Sequence, residues 1–486
     1  MNATDDRERA AARVGAALRD LGYTEDAVQE MLGDEAYAAG PDEVPALVRR
    51  LQPGRLGTAV DLLFLGRPVP ESEAQRAFGR RGLDALVATQ IAVPAGGIAP
   101  LARVLPLDDL LVAGDVHSRG IDDPADYVTP FSPTSRICAA LTPRRNVESA
   151  LDVGTGSGAQ ALFAARHARR VVATDVNGRA LAFTRLNAAL NGISNIECRA
   201  GSLFEPVAGE RFDLITCNAP YVISPERRWA YRDAGYRGDE VSELVVRGAT
   251  AHLAENGYAT LNVSWLAVDE DEPDERVLDW IDTRECDGWV LVAWEADPLD
   301  HAADWASDLA GDPDEVGGLL DRWTDYFDEL GARWVSEGTV VLHRRAGKRR
   351  TVRIDSIDPD DVDEAADQVE RALTSRARLS ELTKLDELLD ARLAVATELR
   401  LEVEVDRSRR RRGAVVALEE GTLSAVDTTP AALELVGELD GRRTLGAVVD
   451  EVARRLDLRG AEAARLRRDA VRLSRDLLEL GALTLE

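Results

Sequence analysis

The feature that most constrains the fold is a regular alternation of strand-like and helix-like segments over residues 149–345. Short apolar runs such as ALDVG, VVATD and FDLITC read as buried strands, and helical spacing of apolar residues follows several of them. Seven strands are predicted in this way. Because strands that alternate with helices pair in parallel and are covered on both faces, the sequence predicts an α/β fold around one mostly parallel sheet.

The length of the chain predicts more than one domain, since 486 residues are too many for a single hydrophobic core. Residues 1–105 are expected to be mainly helical and to end in a helix and a hairpin, which is winged-helix-like. Residues 106–345 hold the alternating core, and residues 346–412 are predicted to be a charged, partly helical connector. Residues 413–486 combine a strand pair, three helices and a last strand, which is typical of a winged helix.

The composition excludes several classes of protein. With 45% hydrophobic residues the chain is globular, and it has no run of about 18 apolar residues that would cross a membrane. Its four cysteines are scattered and its five histidines show no metal-ligand spacing, so we expect neither a disulfide framework nor a metal site. The N-terminus has no apolar signal segment, and we expect a cytoplasmic protein.

A glycine-rich loop stands between the first strand and the first helix of the core, in LDVGTGSGAQAL. Gly154, Gly156 and Gly158 would let the backbone approach a ligand, and Asp175 at the end of the next strand can accept both hydroxyls of a ribose. The spacing is GxGxG and not the GxGxxG of dinucleotide folds. It favours a cofactor with a ribose and a carboxylate but no pyrophosphate, such as S-adenosylmethionine; a plain turn with a surface aspartate is the alternative.

The fourth strand of the core runs into an unusual ending, FDLITCNAPY. Asn218 offers an amide acceptor, and Ala219, held extended by the following Pro220, points its carbonyl outward. Two acceptors can hold the two hydrogens of an amino or amide nitrogen and aim its lone pair at a methyl group. Tyr221 can stack on a planar group. Asparagine and proline are also common turn residues, and a turn is the alternative.

These segments together resemble the class I S-adenosylmethionine-dependent methyltransferases, in particular the "methyltransferase small" group with the NPPY motif. That group includes release-factor glutamine methyltransferases and ribosomal-RNA guanine N2-methyltransferases. The matching pieces are LDVGTGSGAQAL, VVATDVNGRAL, the stretch through FDLITCNAPYVISP, and YRDAGYRGDE. The last is similar to a Tyr-Arg-Asp-Gly-Gly stretch of an actinobacterial branch with three domains. Ala219 replaces the first proline of NPPY, and Ser202 stands where many relatives carry aspartate.

The resemblance implies a seven-stranded Rossmann-like methyltransferase core and a set of site residues. Asn218, Ala219, Pro220 and Tyr221 would be catalytic. Tyr127 and residues 131–135 would cover the methionine end of the cofactor, and Ser202 and Leu203 would lie near its adenine. The full set implied for the cofactor is Tyr127, Thr134, Asp152, Gly154, Thr155, Gly156, Gly158, Asp175, Val176, Ser202, Leu203 and Asn218.

The methyl acceptor is predicted to be an amine or amide nitrogen of a protein or peptide. The formal charge of −28 repels phosphate backbones, so an exocyclic base amine of ribosomal or transfer RNA is the second choice. Tyr221, Asp233 and Asp239 would line the acceptor pocket, with solvated loop charge as an equal alternative for the two aspartates. The same loop carries four arginines that could instead contact phosphate or a peptide carboxylate, namely Arg227, Arg228, Arg232 and Arg237. A binding protein that keeps the cofactor fold without turnover is a third hypothesis.

The C-terminal segment carries its own prediction. The sequence LVGELDGRRTLGAVVDEVARRL and the helix that follows resemble the small winged-helix units that bind leader peptides by adding a strand to a sheet edge. This resemblance favours a ribosomally made peptide among the possible acceptors. A packing or dimerisation role is equally compatible with the sequence, and the unit is not basic enough to favour DNA.

Overall fold

A computed structural model describes most of the chain. The described residues are 3–117, 123–218, 220–226, 235–307, 313–346, 350–360, 362, 364–405, 411–422 and 424–485. Among them, no helix combines the length and the apolar character that crossing a membrane requires.

The N-terminal part is helical, as the sequence predicts, and ends in two hairpins where the sequence predicts one. Its helices are α1 (Ala3–Asp20), α2 (Glu25–Leu32), α3 (Val44–Leu47), α4 (Arg55–Ala59) and α5 (Glu71–Ala88). Its strands form the antiparallel pairs β1 (Ala92–Pro94) with β2 (Ile98–Pro100), and β3 (Arg103–Leu107) with β4 (Leu110–Gly114). This part shares one apolar core with the helix over residues 178–190, through Phe183, Leu186 and Leu190.

The centre of the protein is an eight-stranded, mostly parallel sheet. Its strands are β5 (Val147–Val153), β6 (Ala168–Asp175), β7 (Ile196–Ala200), β8 (Phe212–Cys217), β9 (Leu253–Ala267), β10 (Cys286–Ala296), β11 (Trp334–Arg344) and β12 (Val352–Ser356). Their order across the sheet is β12-β10-β11-β9-β8-β5-β6-β7. Only β11 runs antiparallel to its neighbours. The predicted α/β class and the seven predicted strands are confirmed.

Helices connect these strands over both faces of the sheet, because a parallel pair needs a crossover. They are α6 (Pro133–Leu141), α7 (Ala159–Ala165), α8 (Gly178–Leu190), α9 (Glu240–His252), α10 (Glu275–Trp280), α11 (Pro298–Ser307) and α12 (Pro313–Leu330). Residues of α9 and α10 join one apolar cluster with strand residues such as Ile215 and Leu261. Residues of α6 and α7 join another cluster, which reaches Leu214 and Trp289.

The C-terminal third is regularly folded. It contains α13 (Ala366–Glu381), β13 (Arg392–Val395), β14 (Leu399–Val405), β15 (Arg411–Leu418), β16 (Ala425–Thr428), α14 (Pro430–Val436), β17 (Asp440–Thr444), α15 (Leu445–Arg455), α16 (Ala461–Glu479) and β18 (Leu483–Leu485). Two three-stranded sheets result, with the orders β14-β15-β16 and β17-β13-β18. The three predicted helices and the predicted strand pair are present.

Two sequence expectations differ from the structure. The segment expected to be a charged connector supplies β12, an eighth strand that pairs in parallel with β10, as well as α13, β13 and β14. The segment VSELVVRGATAHLAENG predicts a helix that runs to Gly257, whereas α9 ends at His252, where the backbone of Leu253 is extended and begins β9. The strands of residues 350–405 were not predicted because their sequence is rich in charged residues. The end of α9 was placed too late because Ala254 and Glu255 are helix-forming residues.

A buried ion pair fastens β12 to the sheet. Asp287 on β10 is fully buried and pairs with Arg345, which is 5% exposed. The Asp287 carboxylate also accepts a hydrogen bond from the backbone N–H of Thr351, at 2.7 Å, just before β12. The pair therefore ties together the last residues of β11, the start of β10 and the edge strand.

We expect Asp287→Ala to lower the free energy of unfolding by about 3–5 kcal/mol, because it leaves the Arg345 charge buried without its carboxylate partner. The matched control is Glu148→Ala, which breaks an exposed pair with Arg169 and should cost less than about 1 kcal/mol. Denaturant unfolding followed by tryptophan fluorescence measures both variants. Equal losses in the two variants would contradict the role given to the buried pair.

Candidate functional site

The candidate site lies at one edge of the sheet, where parallel strands end together. β5 pairs with β8 so that Val153 stands opposite Cys217, and β5 pairs with β6 on its other side. The next residues along these two strands are Gly154 and Asn218, so the glycine loop and the NAPY segment start side by side. Carboxyl ends of adjacent parallel strands are the usual place for a ligand in such sheets.

The glycine loop turns sharply from β5 into α7. The φ angles of its three glycines, which residues with a side chain rarely adopt, are 65° at Gly154, 55° at Gly156 and 88° at Gly158. A Cβ on Gly158 would come within 2.8 Å of the Thr184 side chain, whereas a Cβ on Gly156 would meet no atom within 4 Å. The loop is therefore pressed against α8 at one glycine and open at another.

Asp152 holds the loop from below. It is buried, and its carboxylate accepts hydrogen bonds from Thr155 Oγ1 at 2.6 Å, Thr216 Oγ1 at 3.0 Å and the backbone N–H of Ala161 at 3.1 Å. Burial raises the pKa of Asp152 to about 6, against the lowering effect of these donors. Asp152 thus links β5, β8 and the start of α7, which is a supporting position beneath the predicted cofactor site.

Asp175 ends β6 with its carboxylate at the same edge. Its Oδ2 accepts from the backbone N–H of Gly156 at 2.9 Å, and its Oδ1 accepts from the N–H of Asn177 at 2.7 Å. Burial raises the pKa of Asp175 above its usual value, and hydrogen bonds from the backbone of Asn177, Gly156 and Val176 act in the opposite direction. A carboxylate can accept about four hydrogen bonds, so Asp175 keeps acceptor capacity for a ligand hydroxyl. Its neighbour Val176 is 64% exposed and offers an apolar surface beside it.

The segment after β7 brings Ser202 and Leu203 to this edge. Leu203 has a φ angle of 46°, which is unusual for a residue with a side chain. Its carbonyl accepts a hydrogen bond from Thr174 Oγ1 at 3.2 Å, and the carbonyl of Ser202 accepts from the N–H of Glu205 at 2.9 Å. The strained backbone is therefore held in place next to Asp175.

The segment predicted to cover the cofactor is anchored to the glycine loop. Ser157 Oγ donates to the carbonyl of Pro130 at 2.7 Å. Tyr127 is buried, and its hydroxyl donates to the carbonyl of Val116 at 3.1 Å. Ser132 caps α6 by accepting from the N–H of Ser135 at 3.2 Å. Residues 127–135 consequently run past the mouth of the loop toward Asn218.

The Asn218 side chain sits in a chain of polar contacts. Its Nδ2 donates to Ser135 Oγ at 2.9 Å, and its Oδ1 accepts from Asn262 Nδ2 at 2.8 Å. Asn262 Nδ2 also donates to the carbonyl of Thr134 at 2.7 Å, and Asn262 Oδ1 accepts from Thr339 Oγ1 at 2.8 Å. The predicted cover and the predicted catalytic asparagine therefore meet through one residue of β9.

Tyr221 lies three residues after Asn218 in the chain and hydrogen-bonds the Thr134 side chain. Burial raises the pKa of its hydroxyl well above the usual range, with the nearby Glu337 carboxylate acting in the same direction and a hydrogen bond with Thr134 opposing them. Burial likewise raises the pKa of Glu337 to about 7. The Tyr221 hydroxyl therefore stays protonated near neutral pH and can serve as a wall or a donor, but not as a base.

The remaining predicted residues behave differently. Asp239 is buried in an ion pair with Arg276, which donates to both carboxylate oxygens at 2.6 and 2.8 Å, and it also accepts from the N–H of Leu266. Because this charge is already compensated, we do not keep Asp239 in the acceptor pocket. Pro220 is described, whereas Ala219, Asp233, Arg227, Arg228 and Arg232 lie outside the described residues.

Two residues of this polar chain, Asn262 and Thr339, were not predicted, and Ser135 was predicted only as part of the cofactor cover and not as a partner of Asn218. A signal for Asn262 exists, because TLNVSW alternates polar and apolar residues within a strand that is buried throughout this stretch. Buried polar groups need hydrogen-bond partners, so such an alternation indicates that the polar face of the strand hydrogen-bonds neighbouring groups.

The residues at this edge fit S-adenosylmethionine. Asp175 at the end of β6 keeps acceptor capacity where a ribose would be held. The turn at Gly156 is open, so the methionine part of the cofactor could pass close to its backbone. The strained Leu203 and exposed Val176 provide an apolar flank for a base. Asn218, at the adjacent strand end, is placed to meet a group that approaches the transferable methyl.

Comparison with protein families gives two matches along the chain. Residues 132–264 match the "Methyltransferase small domain", a range that contains the glycine loop, Asp175 and Asn218. Residues 20–120 match a "Domain of unknown function (DUF7059)".

Similar proteins of stated function match in the same region. The chain is 35% identical over 126 residues to a release factor glutamine methyltransferase of Xylella fastidiosa, covering 24% of this chain and 46% of that protein. It is 33% identical over 165 residues to a ribosomal protein uL3 glutamine methyltransferase of Bradyrhizobium diazoefficiens, covering 30% of this chain and 51% of that protein. The chain thus spans about half the length of these relatives.

Among solved structures, a putative methyltransferase from Streptococcus mutans, SMU.1697c, in complex with SAH aligns with 44% of this chain and 99% of its own, at 14% identity and a TM-score of 0.26. The family match, the named relatives and the geometry of the strand ends agree. Residues 132–264 therefore form a class I S-adenosylmethionine-dependent methyltransferase domain of the methyltransferase small group.

Proposed function

We propose that this protein transfers a methyl group from S-adenosylmethionine to a side-chain nitrogen of a protein or peptide, with a glutamine amide as the best-supported acceptor. One observation carries the proposal: Asn218 ends a strand directly beside the glycine loop, with its amide oxygen at the sheet edge. The names of the relatives, which are glutamine methyltransferases, support the choice of an amide.

The chemistry asked of the protein is mainly positioning. When bound, S-adenosylmethionine supplies an electrophilic methyl group on a sulfonium. Asn218 Oδ1 would accept one hydrogen of the acceptor nitrogen. The resemblance assigns the nitrogen's other hydrogen to the carbonyl of Ala219, which lies outside the described residues. Fixing both hydrogens points the nitrogen lone pair at the methyl group, which is a near-attack arrangement.

The proton that the acceptor loses needs no strong base, because it can leave to water once the new N–C bond makes the nitrogen acidic. Tyr221 keeps its own proton, since burial raises the pKa of its hydroxyl. It closes one side of the acceptor site. Asp152 and Asp175 hold the glycine loop through the hydrogen bonds given above, and Asp175 would in addition accept hydroxyls of the ribose.

Charge favours a protein acceptor over a nucleic acid. The formal charge of the chain is −28, which opposes approach of a phosphate backbone. An exocyclic base amine is also planar and carries two hydrogens, so Asn218 alone does not separate the two acceptor classes. The separation comes from the charge and from the named relatives.

The flanking parts are proposed to act in recognition. We divide the chain into a helical part over 1–105, the methyltransferase domain over 106–345, a folded segment over 346–412 that supplies β12, α13, β13 and β14, and a winged-helix part over 413–486. Support for a peptide-binding role of the C-terminal region comes from β14, which precedes the last part in the chain, pairs with β15 and is one edge strand of that sheet; its Leu401 is 44% exposed. An edge strand has free backbone groups that can pair with an added strand.

Labelling tests the acceptor class. The purified protein is incubated with methyl-labelled S-adenosylmethionine and an extract from a strain that lacks its gene, and the products are then treated with protease or with ribonuclease. We expect label that becomes small only after protease treatment. Label released only by ribonuclease would contradict the proposal and identify an RNA base as acceptor.

Two variants separate turnover from cofactor binding. We expect Asn218→Ala to lower kcat by ~100-fold or more, because it removes the acceptor that orients the nitrogen, while binding of S-adenosylhomocysteine stays nearly unchanged. Asp175→Ala should weaken that binding by about 10- to 100-fold, because it removes charge-assisted hydrogen bonds. Calorimetry and initial rates measure the two effects. A common loss of binding in both variants would contradict the separate roles.

A further inference from the structure

We propose that Asn262 is a positioning residue that fixes which end of the Asn218 amide faces the acceptor nitrogen. The inference rests on the proposed function, because it concerns the geometry of transfer. It is carried by a set of hydrogen bonds among described residues, all within 2.7–2.9 Å, that connects three strands and the start of α6.

The orientation of Asn262 follows from its neighbours. A backbone carbonyl can only accept, so the atom of Asn262 that lies 2.7 Å from the carbonyl oxygen of Thr134 must be Nδ2. Asn262 Oδ1 then faces the Thr339 hydroxyl, which donates to it at 2.8 Å. The two contacts agree on a single orientation of this amide.

The orientation of Asn218 follows in turn. The same Nδ2 of Asn262 lies 2.8 Å from Asn218, so the atom facing it must be the acceptor Oδ1. Asn218 Nδ2 consequently faces Ser135 Oγ, which accepts at 2.9 Å. Asn218 Oδ1 has two lone pairs and receives one donor in this set, so the second remains for a hydrogen of the acceptor nitrogen.

Burial makes this preference strong. Asn262 is 5% exposed and Thr339 is 1% exposed, and they stand directly opposite each other on β9 and β11. Inside the protein an unpaired polar group is costly, so a reversed Asn218 amide, which would set its NH2 against the NH2 of Asn262, is strongly disfavoured. Without Asn262, the two orientations of the Asn218 amide become closer in energy.

Three polar residues on one face of β9, Thr260, Asn262 and Ser264, differ in their contacts, which argues that Asn262 has a specific positioning role. Ser264, two residues further along, donates to the carbonyl of Tyr221. Thr260, two residues earlier on the same face, has a buried hydroxyl that finds no hydrogen-bond partner among the described residues. This face therefore engages the NAPY segment at Asn262 and Ser264 and does nothing comparable at Thr260.

The test compares isosteric changes on β9. Asn262→Asp replaces the NH2 that donates to Asn218 with an acceptor oxygen, so the ionised carboxylate would attract the Asn218 NH2 and reverse its amide. Asn262→Ala removes the contact altogether. Thr260→Val removes a buried hydroxyl of the same strand that has no partner among the described residues, and it serves as the matched control. Thr339→Val loosens Asn262 without touching Asn218.

We expect Asn262→Asp and Asn262→Ala to lower kcat by about 10- to 100-fold near neutral pH, with KM for S-adenosylmethionine and binding of S-adenosylhomocysteine little changed. Thr339→Val should have a smaller effect in the same direction, and Thr260→Val should have none. Initial rates are measured with labelled cofactor and the extract from the strain that lacks the gene.

The pH profile distinguishes positioning from mere packing. A protonated carboxyl at position 262 can donate to Asn218 Oδ1 again, and burial raises the pKa of such a carboxyl. The rate of Asn262→Asp relative to the unchanged protein should therefore rise as the pH falls, whereas the relative rate of Asn262→Ala should stay constant. Thermal midpoints recorded at each pH show whether the variants remain folded.

A pH-independent ratio for a folded Asn262→Asp variant, or a full rate in Asn262→Ala, would overturn the inference. If Asn262→Asp does not fold, Thr339→Val decides the question, since a full rate in that variant would overturn the inference too. Failure of the proposed function is a separate result, because the unchanged protein would then transfer no label at any pH or would label only material that ribonuclease releases.

Discussion

The pairing of β5 between β6 and β8 is the constraint on which the site depends. Parallel pairing forces the three strands to end at one edge, so a glycine turn, a carboxylate and an amide that are far apart in sequence become neighbours. Asp152 on β5 strengthens this arrangement, because its buried carboxylate accepts hydrogen bonds from the glycine loop, β8 and α7 at once. The edge is thus built on rigid strands and reaches the ligand through short loops.

Hydrogen bonds then fix the orientation of the Asn218 amide. A chain of hydrogen bonds runs from Thr339 on β11 through Asn262 and Asn218 to Ser135 on α6. Anchoring of residues 127–135 on the glycine loop, through Ser157 and Pro130, places the cover and the acceptor amide in one connected unit. Cofactor side and acceptor side are therefore coupled through hydrogen bonds and not only through packing.

Sequence reasoning reaches some of these features and not others, for physical reasons. Periodicity located the strands and the glycine loop, because burial and backbone conformation leave local signatures in residues such as Gly154 and Gly158. It did not find β12, since an edge strand of VRIDS needs little apolar sequence. It assigned Asp239 to the acceptor pocket because the partner Arg276 is remote in sequence. It missed Asn262 because its importance arises only when β8, β9 and β11 lie side by side.

Identification of the methylated atom is the most direct test of methyl transfer to a side-chain nitrogen of a protein. The labelled acceptor from the extract is purified, digested and sequenced by tandem mass spectrometry, with the unchanged protein and Asn218→Ala run in parallel. We expect one added methyl group on a side-chain nitrogen of a protein, on a glutamine amide in particular, and none with Asn218→Ala. A methyl group on a carboxylate oxygen, on a carbon atom or on a nucleic-acid base would contradict it.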